Sequence, residues 1–443
     1  MMLLEFRARN VRSFKDDLKL SLEATKMAEP GVVRTVPWFP GGPVLRLLPV
    51  AAVYGPNASG KSNVLRALAD MRMIVAGSFR FWEPKGRIPR DSFRLDPARR
   101  MEPSLYEIDV VAGGVRHVYG FEVDDFRVLR EWAYQYPRSK RPVLIFERTD
   151  ADFEHGTGLR SRGGVIEELV RPNALFLSTA AAAKYEALEP LNEWFQHNLL
   201  LADASSRPAR HLQSVQMMAE PGRRAEVLGL LQVADFGITD VDEVDLDEDA
   251  AEQIRKVMRA VADGLELEDP PQVDDAIFKR LRFHHHGAPR SATFDLNEES
   301  LGTQVWFGLI GPVVDSLREG TVLLADELDA SLHPTLVEQV VRLYQDPESN
   351  PHNAQLICNT HDPALLGDSS TDRVLGRDQA WFTEKNAAGE SRLYSLVDFS
   401  PRQGESVERR YRHGRYGAVP LVNHSEFKTA TSAAVHRDPV PTR

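Results

Sequence analysis

The chain has 443 residues, 42% of them hydrophobic and 27% charged, the balance of a globular protein with a full core. Its formal charge of −11 argues against a protein built to coat nucleic acid, and its single cysteine, Cys358, excludes a disulfide framework. No apolar run approaches the ~18 residues that cross a bilayer, and Glu5 and Arg7 come too early for a secretory signal. The expectation is a soluble, cytoplasmic protein without a membrane partner.

In chain order, Leu3 to Ala24 alternates apolar and polar residues about Phe14-Lys15-Asp16-Asp17 and predicts a β-hairpin. The Pro/Gly-rich stretch Val36 to Pro43 reads as a loop leading into an apolar strand, Leu48 to Tyr54. Gly55-Pro56-Asn57-Ala58-Ser59-Gly60-Lys61-Ser62 follows that strand and precedes an amphipathic helix from Asn63, with Val64, Leu65, Leu68 and Met71 on one face. That is a full phosphate-binding loop in its proper setting. Leu105–Val111, Gly114–Val123 and Val143–Glu147 predict further strands, the first two joined at Gly113-Gly114. Helical spacing dominates from Ala180 to Asp263, the acidic Val241 to Glu252 included.

Leu281–His286 and Ala292–Leu296 predict a hairpin turning at 287–290. Consecutive His284, His285 and His286 face alternate sides of a strand, so they read as solvated hairpin rather than metal ligands. Glu299-Ser300-Leu301-Gly302-Thr303-Gln304 opens an apolar helix, where Ser300 is at the least an N-cap. Thr321 to Ala325 is an apolar strand ending in Asp326 and Glu327, and Cys358-Asn359-Thr360-His361 ends another, with Cys358 a small buried residue. The residues from Val422 read as a disordered tail. The expected division is an N-terminal lobe over 1–150, a mainly helical insertion over 151–280, a C-terminal lobe over 281–421 and the tail over 422–443.

The chemistry follows from the residue types. Loop glycines let the backbone from Gly55 to Asn63 curl so that its N–H groups, Pro56 having none, point at phosphate oxygens, and the helix N-terminus adds positive potential. Lys61 reaches the β and γ phosphates of ATP, and the Ser62 hydroxyl ligates Mg²⁺. Asp326 is placed to hold the same Mg²⁺, and Glu327 to deprotonate the attacking water.

P-loop, Ser300 segment, Asp-Glu pair, Leu328-Asp-Ala-Ser331-Leu332-His333-Pro334 and His361, in that order, resemble the ABC-type ATPases. The likeness implies an α/β head, a mixed sheet with a P-loop core plus an antiparallel β subdomain, with a helical insertion between P-loop and signature motif. It makes Ser300 and Gly302 the signature serine and glycine, Leu301 and Thr303 being departures, and His361 the catalytic switch beside Glu327. His333 stands in the D-loop where Asp is usual. No Q-loop can be placed; Gln135 is not convincing. Such heads form a homodimer, or a higher homo-oligomer, around two ATP molecules.

Between Ser62 and Ser300 lie 237 residues, more than a transporter head holds and similar to SMC-like and OLD-family ATPases. Asn10-Val-Arg-Ser-Phe14 resembles their opening motif, which implies that Arg12 reaches nucleotide. Arg377 to Lys385, Leu393 to Phe399, and Arg409-Arg-Tyr411 with Gly414-Arg-Tyr-Gly417 resemble the C-terminal region of RloA/AbiL-type ATPases, relatives of the PARIS ATPase subunit. That resemblance implies an anti-phage role: sensing a phage protein trigger and controlling a separately encoded nuclease effector. Asp372, Asp378, Glu384 and Asp398 look like turn punctuation, not the clustered metal ligands of a nuclease. The alternative is an SMC- or RecF-like ATPase acting directly on DNA in repair or recombination. Basic stretches at Arg138–Arg141, Arg207–Arg210 and Arg402–Arg415 read first as solvated surface, with nucleic acid as the other possible partner.

Overall fold

A computed structural model describes residues 1–156, 166–234, 236–264, 275–286, 292–367, 373–402, 404–420 and 423–435. At its centre is a six-stranded sheet in the order Leu199–Ala202, Val322–Ala325, Gln355–Asn359, Val50–Tyr54, Ala380–Lys385, Ser391–Ser395. The first five strands run parallel and the last antiparallel. Val50–Tyr54 and Gln355–Asn359 are buried at every position, because both faces of the sheet are covered. Ala51 and Val53 enter one core while Val50, Ala52 and Tyr54 enter the other. Burial pushes the Cys358 thiol pKa up, as its packed apolar setting dictates.

The first core is closed by a seven-stranded antiparallel sheet, which runs from Asp152–His155 through Val143–Thr149, Val128–Gln135, Val115–Val123, Ser104–Ala112 and Met2–Arg9 to Leu18–Ser21. The helix Lys61–Gly77 lies between the two sheets, and its Val64, Leu65, Leu68 and Met71 are all buried. The second core packs the opposite face under the helices Arg207–Ala219, Leu301–Glu319 and Pro334–Gln345. The α/β head and its antiparallel subdomain are therefore as expected.

Four local expectations differ. The Pro/Gly-rich stretch at Val36 is itself a hairpin, Arg34–Pro37 against Val44–Leu47, turned by Gly41 with φ 74°. The stretch over 151–280 is largely helical, but Leu199–Ala202 within it is an edge strand of the central sheet. Acidic Ile238–Asp245 pairs with Lys279–His285, which in turn pairs with Ala292–Asp295, rather than forming helix; the hairpin turn at 287–290 lies outside the described residues. In place of a wholly disordered tail there is a helix over His424–Val435, and 436–443 lie outside the description. Gln135 ends a strand and pairs with His117 and Val143. No helix among the described residues is long and apolar enough to cross a membrane.

Candidate functional site

The strand Val50–Tyr54 delivers the chain to Gly55, and the loop turns into the helix at Lys61. Gly60 has φ 113°, and a Cβ there would lie 2.6 Å from Ser391 Oγ. A Cβ at Gly55 would collide with Thr383 Oγ1, so both glycines are fixed by close packing as well as by loop shape. Ser59 is buried, its hydroxyl 2.6 Å from Thr383 Oγ1, while Asn57 and Ala58 form the exposed crown. Lys61 Nζ donates to the carbonyls of Gly55 at 2.9 Å and Pro56 at 3.1 Å, which folds the ammonium over the loop's own concavity. Partial burial holds the Lys61 pKa below the usual lysine range, against the pull of Asp329, Glu327 and Asp326. Asn63 donates to Ser13 Oγ at 2.8 Å and borders an open cavity of about 260 Å³, shared with Arg12 and Phe93.

Parallel pairing sets the acidic end of the site. Ala325 is in register with Cys358, so Asp326 and Asn359 emerge side by side. The fully buried Asn359 carboxamide donates to Asp326 Oδ1 and, at 3.3 Å, to Ser62 Oγ, and its oxygen accepts from the Glu327 N–H. One side chain thus ties together both expected Mg²⁺ ligands and the backbone of the expected base. Nothing in its sequence context marks this role. Asp326 also accepts from Arg66 at 3.2 Å. Glu327 has φ 56°, a left-handed conformation costly for a side chain of this size and typical of strained functional positions. The two carboxylates border a cavity of about 40 Å³, room for a water or two, walled opposite by Asp203, Arg207 and Arg210. Asp203 is a second residue that sequence reasoning missed, because it depends on the unforeseen strand Leu199–Ala202.

His361 joins this group. Its N–H donates to Asp329 Oδ2 at 2.8 Å. Its pKa is lowered by desolvation and by the nearby Lys61 charge, so the imidazole is neutral at pH 7. His333 caps its helix by accepting from the Thr335 N–H at 3.2 Å, the service an Asp would render.

The structure does not bring Ser300 and Gly302 to the P-loop of the same chain. Ser300 is an exposed N-cap whose Oγ accepts from the Thr303 N–H at 3.1 Å. A Cβ at Gly302 would lie 2.8 Å from Ser331 O, so the signature turn is packed on the D-loop. Asn57, Glu327, Ser331, His361 and Ser300 are all exposed. Arg12 is held by Asp70, at 2.6 and 2.7 Å, and by Asp91, so it braces the P-loop helix while lining the adjoining cavity. Half-buried Arg210 donates to the carbonyls of Gly308 and Asp203, so its guanidinium is engaged within the chain.

Residues 50–367 match the family model described as "AAA domain, putative AbiEii toxin, Type IV TA system". The chain belongs to this AAA-domain family. The match opens on the P-loop strand and closes just behind His361, so it takes in the P-loop, the Ser300 segment, the Asp326-Glu327 pair and His361, and the protein is an ATPase of the AAA/ABC type. The OLD nuclease of Thermus scotoductus is 23% identical over 351 residues, covering 72% of this chain and 56% of that protein. The chain thus spans about half the length of the curated relative it matches. Among solved structures, the SMC head domain from Thermotoga maritima is 12% identical, with TM-score 0.38 over 89% of this chain and 99% of that one. An SmcHead bound to the C-winged helix domain of ScpA is 11% identical, with TM-score 0.43 over 93% and 100%.

Beyond the matched region, this AAA-domain protein continues into its own ATPase sheet. Phe382 of the strand next to the P-loop strand stacks on Tyr411 at 5.4 Å and Tyr416 at 5.9 Å between ring centroids. Tyr411 Oη donates to Ala418 O, and Gly417 presses on Glu384 where any Cβ would collide. The C-terminal tyrosine-glycine motif is therefore a clasp on the sheet. Asp378 accepts from the Thr25 N–H, Glu384 from the Ala418 N–H and Asp398 from the Ser395 N–H, so these carboxylates hold turns, while Asp372 lies outside the described residues. Among the described residues no group of three or more His, Cys, Asp or Glu side chains is placed to hold a metal ion.

Proposed function

We propose that this chain is the ATP-driven regulatory subunit of a bacterial anti-phage assembly of the RloA/AbiL type. In this reading it closes as a homodimer on ATP, senses a phage protein and controls a separately encoded nuclease. The observation that carries the reading is the C-terminal clasp. The segment after the switch histidine completes the ATPase sheet, and its Asp378, Glu384 and Asp398 are engaged in hydrogen bonds to backbone N–H groups. The family description, which names a toxin system, and the likeness to an OLD nuclease support the defence setting.

At the site, the P-loop amides and Lys61 bind the phosphates of ATP. Gly55 and Gly60, where a Cβ would not fit, and the hydroxyl and carboxylate joined by Asn359 suit a nucleotide with its Mg²⁺. Mg²⁺, held by Ser62 and Asp326, would supply charge neutralisation on the phosphates. Asn359 fixes those two ligands and orients the Glu327 backbone. Glu327 takes the proton from the attacking water, and neutral His361 hydrogen-bonds the γ-phosphate end of the site. The exposed crown, Glu327 and His361 form an open face, which the Ser300–Gly302 turn of a second copy would cover. The test is phage challenge of cells expressing the chain with its neighbouring gene. Protection and a co-purifying partner are expected for the wild type, with protection lost in Lys61→Ala; protection that survives Lys61→Ala, or no partner at all, sinks the reading.

A further inference from the structure

Between the P-loop helix and the strand Ser104–Ala112, the chain from Arg80 to Arg100 carries seven Lys or Arg against three Asp or Glu, in a protein of net charge −11. The fold gathers this excess instead of spreading it. Arg87, Arg90, Ser92, Arg94, Arg100 and Asp125 wall a cavity of about 360 Å³. Its lining is four guanidiniums, one hydroxyl and one carboxylate.

The arginines divide by role. Arg90 has a side chain only 2% exposed and is fully engaged: it donates to Asp125 at 2.7 Å, to the carbonyls of Glu102 and Arg100, and to Ser104 Oγ. It forms the rigid floor. Asp125 is shared with Arg87, and the two guanidiniums hold its pKa below the usual carboxylate range, so one negative charge faces two positive ones. Arg94 pairs with Asp91, which also serves Arg12. Arg100 is exposed, and no carboxylate pairs with it among the described residues. The side chains of Arg87 and Arg94, each paired with one carboxylate, are 66% and 73% exposed, so an anion can reach both guanidiniums. Arg87 lies 5.5 Å from the ring centroid of Phe126, itself 60% exposed, so an apolar face adjoins the charge.

We propose that this cavity is a second phosphate-binding site, separate from the P-loop, which takes a phosphate group of a polyanion. Convergent guanidiniums on a fixed floor are the arrangement that recognises phosphate by paired N–H donors. The ligand is a nucleic-acid backbone or a free polyphosphate, which share this chemistry. An exposed aromatic ring beside the cavity suits a base next to the bound phosphate. ATP binding at the P-loop does not employ Arg87 or Arg100.

The experiment uses the full chain carrying Lys61→Ala, so that the P-loop does not compete. It measures binding of a labelled single-stranded oligonucleotide of about 20 nucleotides and, separately, of inorganic tripolyphosphate, from about 50 to about 200 mM salt. Arg87→Glu with Arg100→Glu should weaken binding roughly 10-fold or more and flatten the salt dependence, while Arg87→Lys alone retains most of it. In the background with Lys61 intact, the double variant should keep wild-type ATP turnover and melting temperature, since both side chains are exposed. Oligonucleotide binding lost in the double variant identifies a nucleic-acid ligand. Tripolyphosphate binding lost in that variant, without oligonucleotide binding in the parent, identifies a free polyphosphate. The proposal is overturned if neither ligand binds, if the double variant binds both as before, or if ATP turnover falls together with binding.

Discussion

Asn359→Asp tests the site at its least expected member. The substitution keeps the volume of a fully buried side chain and keeps an oxygen for the Glu327 N–H, but it replaces the amide donor to Asp326 and Ser62 with a carboxylate oxygen. Two carboxylates are then in hydrogen-bond contact. At about 4 Å and an effective dielectric near 20, like charges repel by about 4 kcal/mol, equivalent to roughly three pKa units. The pair therefore takes up a proton in preference to ionising twice. In alkaline buffer, where both are charged, Asp326 is repelled from its place and Mg²⁺ is held in an altered geometry. ATP turnover should fall about 10- to 100-fold, the usual effect of removing an outer-shell partner, and the Mg²⁺ concentration for half-maximal activity should change. Lowering the pH should recover part of the rate, because the protonated carboxyl again donates to Asp326. Phosphate-release kinetics across pH and Mg²⁺ measure this directly, with thermal melting as the check on folding. Wild-type turnover with unchanged Mg²⁺ dependence in alkaline buffer would refute the assigned role.

Other expectations follow from the same contacts. Ser300→Arg should leave nucleotide binding intact in the single chain but block ATP-driven dimerisation, read by size-exclusion with light scattering; normal turnover would reduce Ser300 to a helix cap. His117, buried against the Val115 carbonyl, has its pKa pushed down to about 4 by desolvation. The unfolded chain binds that proton near pH 6.5, so stability is lost as pH falls from about 6.5 to about 4, by roughly 3 kcal/mol. Denaturant melts of His117→Phe should lack that part of the acid sensitivity, and an unchanged profile would contradict the burial argument. Purified protein with ATP and Mg²⁺ should leave plasmid and RNA intact; cleavage abolished by Asp378→Asn or Asp398→Asn would show that those turn carboxylates serve a nuclease.

What was legible in the sequence had local signals. The P-loop strand and helix could be read because a run of small apolar residues, a glycine loop and an amphipathic face follow one another without interruption. Gly113-Gly114 likewise fixed a hairpin through two residues with φ 57° and 75°. Leu199–Ala202 could not be read: four apolar residues fit either helix or strand, and what decides is pairing with Val322–Ala325, over 100 residues away. Asp203 was hidden with it. The hairpin at Arg34 was masked by its own turn residues, whose proline and glycine content also describes a loop. Asn359 illustrates the general limit. Its importance arises where two parallel strands end in register, a relation that no spacing along the chain encodes. The arginine-rich stretch from Arg80 to Arg100 was not among the basic stretches read from the sequence, and only folding shows that four of its side chains meet at one cavity.

The central claim is that Glu327, set in its left-handed turn beside Asp326, activates water for ATP hydrolysis. The most direct measurement is the rate of hydrolysis of bound ATP by Glu327→Gln in a single turnover. Glutamine keeps the size and hydrogen bonding of the side chain and leaves Ser62, Asp326 and Asn359 in place. Nucleotide should bind as in the wild type, while hydrolysis slows roughly 10²- to 10⁴-fold, the worth of a positioned base. Hydrolysis at the wild-type rate would mean that another group accepts the proton, and the assignment of Glu327 would fall.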